Sequence, residues 1–208
     1  FQILSDGTFI SVTATNGDIS LNNSQMLAGG AFDGDAGGDA VLTNALISAG
    51  GSLDPDVDGT LDLDAGDNVR LTQGSTITGT GDTHLSAEEG ELLVVDNGRV
   101  QSGADLDLDA GTNVTLHTGA ALGQQDVTVT AGKDVRLSGG AQLLAAEGDL
   151  SATADGGDLL LSQNSAAGAA EQFAPGQEIA QRRDRAERDE ENDQLHALAA
   201  SARAGETN

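Results

Sequence analysis

Seven times along this chain, an apolar and a polar residue alternate twice and end on alanine. The seven copies are Ile10 to Ala14, Phe32 to Ala36, Leu61 to Ala65, Thr83 to Ala87, Leu106 to Ala110, Val127 to Ala131 and Leu150 to Ala154, with Gly34 and Thr83 standing at apolar places. Their alanines lie 22, 29, 22, 23, 21 and 23 residues apart. A unit this short cannot bury its own apolar side, so a self-similar period of about 20 to 50 residues implies units stacked on one another.

Each unit continues in the same way. Four or five residues after the alanine, usually past a Gly and an Asp or Asn, comes a second apolar pair: Ile19/Leu21, Ala40/Leu42, Val69/Leu71, Leu92/Val94, Val114/Leu116, Val135/Leu137 and Leu159/Leu161. A third, shorter run follows at Met26, Ile47, Ile77, Val100, Leu122 and Leu143, and in the last unit it dissolves into Ser165 to Ala170. Alternation of period two puts these apolar positions on one side of a strand and the intervening Ser, Thr and Asp on the other. Three strands per turn predict an all-β parallel β-helix of about seven coils of 21 to 23 residues over residues 1–170. At about 4.8 Å per coil such a stack is on the order of 34 Å long. A hairpin-based fold would carry turn dipeptides between neighbouring strands and would not need units of equal length.

Composition agrees with a thin interior. The 208 residues include 29 Gly and four Phe but no Trp, Tyr or Cys, so Leu, Val, Ile and Ala must fill the core. The net charge of −25 disfavours nucleic acid and anionic lipid as partners and favours cations. No apolar run approaches the ~18 residues of a membrane span, so membrane insertion is not expected. Without cysteine there is no thiol chemistry from which to read a redox compartment. The opening Phe1-Gln2-Ile3-Leu4 already carries the apolar spacing of a repeat, and the chain is expected to be a piece of a longer one.

The stretches Leu106-Asp107-Leu108-Asp109-Ala110-Gly111, Asn113-Val114-Thr115-Leu116 and Ala131-Gly132-Lys133-Asp134-Val135-Arg136-Leu137 resemble the β-helical shafts of filamentous-haemagglutinin-like exoproteins, which are exported by two-partner secretion. The resemblance covers roughly residues 8 to 165. It implies a right-handed helix and a structural or adhesive shaft segment, secreted to the bacterial cell surface through an outer-membrane transporter, with no catalysis of its own. A surface receptor on a host or neighbouring cell, or a polysaccharide, is the implied partner. The family's secretion domain carries Asn-Pro-Asn-Gly-type segments, and none occurs here, which fits shaft and not export signal.

Past Glu171 the composition changes. Phe173-Ala174-Pro175-Gly176 breaks the pattern, and Gln177 to Ala204 is rich in helix-favouring Ala, Glu, Arg and Gln. Residues 171–208 are therefore expected to form a charged helical cap or linker, with Glu178 and Arg182, and Asp184 and Arg188, as i,i+4 pairs.

For chemistry, the one irregular interval, Ala36 to Ala65, stands out. Its extra length contains Asp54-Pro55-Asp56-Val57-Asp58-Gly59, the first half of a calcium loop; Ala65 at the twelfth position excludes a full EF-hand. Aligning the units also stacks Asp33 over Asp62 and Asp35 over Asp64, and like charges so placed repel unless neutralised. Calcium bound by Asp54, Asp56 and Asp58, with Asp33, Asp35, Asp62 and Asp64 as a second cluster, is the expected cofactor arrangement. His84 falls between Asp62 and Asp107 in the same column, as a surface spacer that relieves repulsion. The alternatives to a plain shaft are a calcium-stabilised extracellular scaffold and a β-helical carbohydrate-active enzyme using Asp62, Asp64, Asp107 and Asp109. Against the enzyme, sugar sites usually offer aromatic platforms, and Trp and Tyr are absent.

Overall fold

The structure, a computed structural model, describes residues 2–5, 9–50, 60–162 and 164–169. All strand pairings among them are parallel, and they build three sheets. The alanine-ended strands Phe9–Ala14, Ala31–Ala36, Leu61–Ala65, Thr83–Ala87, Leu106–Ala110, Val127–Ala131 and Leu150–Ala154 lie in that order in the first sheet. The second sheet runs from Ile19–Asn22 to Leu159–Leu161 and the third from Gln2–Ser5 to Ala166–Ala169. Each strand pairs with its counterparts one coil before and after, and the motif alanines meet residue for residue. The described residues thus form a parallel β-solenoid of about seven turns, as the repeat predicts.

Alternation explains the core. Leu61, Leu63, Leu85, Leu106 and Leu108 point inward from the first sheet and are fully buried, as are Leu71, Leu92 and Leu116 from the second and Ile47 and Ile77 from the third. At the first corner, the residue after each alanine donates its backbone N–H to the alanine carbonyl one coil earlier: Gly66 to Ala36 at 2.8 Å, Gly111 to Ala87 at 2.9 Å, Gly132 to Ala110 at 2.9 Å. The sheet ladder therefore continues around the bend. A Cβ on Gly132 would lie 2.2 Å from the Gly111 carbonyl oxygen, so successive coils approach closely at this glycine. The second corner passes through the left-handed region, at Asn23 (φ 48°), Asn44 (φ 47°), Gln73 (φ 53°), Thr118 (φ 55°) and Asn164 (φ 62°). Asn tolerates that conformation because its short amide bonds locally.

Side-chain ladders reinforce two corners. Asp18 Oδ1 accepts the Asp39 N–H at 3.0 Å, Asp39 Oδ1 accepts both the backbone N–H (3.1 Å) and the side-chain amide (2.8 Å) of Asn68, and Asn68 Oδ1 accepts the Glu91 N–H at 2.9 Å. Asn113 Oδ1, accepting the Asp134 N–H at 3.3 Å, and Asp134 Oδ1, accepting the Asp158 N–H at 2.8 Å, extend the column. A second column climbs the corner before the first sheet, where Asp82, Asp105 and Asp126 accept from the N–H of Asp105, Asp126 and Asp149. Each Asp or Asn caps a backbone donor that the bend would otherwise leave unpaired.

Three details differ from the sequence expectation. Ala121, not Leu122, faces inward, because two adjacent apolar residues leave the phase open and pairing with Val100 and Leu143 settles it. Ala166–Ala169 is a strand and not a dissolved end; small residues of low strand preference are templated by Gln142–Ala145. Gln2–Ser5 adds a strand ahead of the first motif. The expected helical segment at 171–208 lies outside the described residues.

Among the described residues, one inward position of the first sheet carries a polar side chain. Thr83 sits inward between Leu61 and Leu106, is 1% exposed, and its Oγ1 finds no partner among the described residues. Thr83→Val keeps the shape and removes the unpaired hydroxyl, and should raise stability by about 1 kcal/mol. Urea unfolding checks this; a lower midpoint would mean that the hydroxyl is satisfied.

Candidate functional site

The outward side of the first sheet is two columns of side chains about 4.8 Å apart along the stack. One runs Ser11, Asp33, Asp62, His84, Asp107, Thr128, Ser151, the other Thr13, Asp35, Asp64, Ser86, Asp109, Thr130, Thr153. Asp33 is the ladder neighbour of Asp62 and Asp35 that of Asp64, as the alignment predicts. One coil on, His84 takes the place of a carboxylate.

The imidazole reaches diagonally. His84 Nε2 is 3.7 Å from Asp64 Oδ1, and Nδ1 is 4.0 Å from Asp109 Oδ2. Asp62, Asp64 and His84 each bring one ligand-type atom within 4.8 Å of the others. Partial burial raises the Asp64 carboxyl above the usual carboxylate range, with Asp62, Glu88 and Asp35 adding to the rise and His84 opposing it. Beside it runs an open groove of about 340 Å³, lined by Asp35, Asp64, Asp67, Glu88 and Glu89 with the backbone-rich corner Ala36, Gly37, Ala65 and Gly66.

The raised Asp64 pKa has a stability consequence. The native state holds this proton more tightly than the unfolded chain does, so stability falls as pH rises from the ordinary carboxylate value through the raised one. Asp64→Asn should therefore melt higher than the parent at pH 7, by a degree or two on the order expected of a half-exposed group. The gain should disappear below the ordinary carboxylate pKa. Thermal melts across pH 3 to 8 test this, and a pH-independent difference would refute it.

Of the expected ligands, Asp33, Asp35, Asp62 and Asp64 share one face, and Asp62 and Asp64 converge with His84. Asp54, Asp56 and Asp58 lie outside the described residues. His84 occupies the column position expected of it, but its ring engages Asp64 and Asp109 and does not merely separate Asp62 from Asp107. The legible signal was a single imidazole with an Asp-x-Asp strand on each side. Two carboxylates and an imidazole suit a divalent cation, the oxygens favouring hard ions and the nitrogen drawing preference toward transition metals.

In comparisons with protein families, with curated proteins and with solved structures, nothing matches this chain.

Proposed function

We propose that these coils are a structural or adhesive shaft segment of a large secreted bacterial surface protein of the filamentous-haemagglutinin-like kind, and that they perform no catalysis themselves. The observation that carries this reading is the unbroken residue-for-residue pairing of all seven motif strands, over a core filled mainly by Leu, Val, Ile and Ala. Such a stack gains length by addition of similar coils, each contacting only its neighbours, and its outer face is free to vary. Localisation at the cell surface, export through an outer-membrane transporter and a receptor or polysaccharide partner belong to the same proposal. Antibodies raised against residues 9–169 test it on intact cells that make the full-length product. Surface labelling that is lost after protease treatment of intact cells is expected; labelling only after lysis would overturn it.

A second, compatible reading is a cation-stabilised scaffold, favoured by the pairing of Asp33 with Asp62 and of Asp35 with Asp64 beside His84. An ion present at about 100 times its Kd would add about 2.7 kcal/mol. The melting midpoint should then rise by several degrees in calcium relative to chelator. Identical midpoints remove the idea.

A further inference from the structure

The second corner and the outer side of the third sheet enclose a different groove, of about 520 Å³, at the N-terminal end of the described stack. Gln2, Gln25, Leu46 and Thr76 are successive rungs of one outward column, about 14 Å long, and Asn23 and Asn44 form the corner beside it. Among the described residues, no ionisable side chain lines it, on a chain of net charge −25. We propose that this groove binds a neutral saccharide chain.

Gln2 Nε2 donates to Gln25 Oε1 at 3.2 Å, and Asn44 Nδ2 donates to Asn23 Oδ1 at 2.6 Å, so the amides are held in place by their neighbours. That leaves Gln25 Nε2 as a donor, Asn44 Oδ1 as an acceptor and Thr76 Oγ1 as either, without partners among the described residues. Leu46 offers one apolar surface between them. Alternating donors and acceptors around an apolar contact match the hydroxyls and ring carbons of a sugar, and prior ordering of the amides lowers the entropy cost of binding. An extended peptide cannot add here as a strand, because Gln25–Ala28, Leu46–Ala49 and Thr76–Gly79 are already paired on both sides. The net charge of −25 opposes anionic sugars, and Arg99, the next rung after Thr76, is the one cation on this column among the described residues. Without aromatic stacking, affinity belongs in the millimolar range, about −4 kcal/mol.

The inference stands on the groove alone; an empty groove would leave the shaft reading intact. The test is titration of the 15N-labelled full chain with cellohexaose, maltohexaose and an oligogalacturonate of equal length, followed by amide shifts. At least one neutral hexasaccharide should move the signals of Asn23, Gln25, Asn44 and Thr76, with little response to the galacturonate. Gln25→Ala and Asn44→Gly, the latter keeping the left-handed backbone accessible, should each weaken binding at least about threefold while the remaining spectrum is preserved. No shift at about 10 mM of either neutral sugar, an equal response to the galacturonate, or unchanged affinity in both variants would each overturn the proposal.

Discussion

Leu108→Ala is expected to lower the stability of the coil stack by about 3 to 4 kcal/mol, among the largest effects of any single side-chain truncation in this chain. Leu108 is fully buried, with Leu85 on the rung before and Val129 on the rung after. A globular core partly closes over such a hole when neighbouring elements move inward. Here the strand is pinned by backbone pairing on both sides, with Thr83–Ala87 and Val127–Ala131, so the walls cannot approach and most of the cavity remains. The interior is thin and has no large aromatic nearby to swing into the space. Leu161→Ala is the internal control: it occupies an inward column at the last coil, is 46% exposed, and should cost well under half as much. Urea unfolding of both variants decides the matter, and equal losses would mean that Leu108 does not sit in a sealed column.

The second large effect falls on a polar residue. Asn68 is the middle rung of the first-corner ladder, donating its side-chain amide to Asp39 and accepting the Glu91 N–H. Asn68→Ala removes both bonds and leaves a half-buried backbone donor unpaired, for a cost of about 2 kcal/mol. Asn68→Asp keeps the acceptor for Glu91 but sets a second carboxylate against Asp39, so it should be no better than the alanine variant at pH 7 and should recover as the pH falls toward 4. A surface residue of the same composition outside the ladder would show neither loss nor pH dependence. Unfolding midpoints of the two variants at both pH values supply the check.

That ladder also changes the meaning of the acidity. Read from composition, 34 acidic side chains suggest a hydrated surface or a cation store. In the folded chain, Asp18, Asp39, Asp82, Asp105, Asp126 and Asp134 each accept a backbone N–H from the next coil. These aspartates are corner elements before they are surface charge. The sequence signal was present, as an Asp or Asn just before most second strands, but a residue type preferred at bends does not announce its partner one coil away. The outward columns were legible because the alanine ends each strand at the same phase; once those alanines align, Asp33 must meet Asp62. Leu122 was misplaced for want of such a marker, since Ala121-Leu122 satisfies either phase. The His84 contacts needed side-chain directions, which period and register do not contain.

Successive motif strands lie side by side in parallel, one coil apart, with the same motif positions facing out at every rung. The chain has no cysteine, so pairs of nitroxide labels can be placed without background. Thr13 belongs to the outward column that continues through Asp109, Thr130 and Thr153. Double electron–electron resonance between a label at Thr13 and one at each of these three sites should give narrow distributions centred near 19, 24 and 29 Å, rising by about one strand spacing per coil. Distances that fail to increase in equal steps, or that shorten from Thr130 to Thr153, would contradict the solenoid.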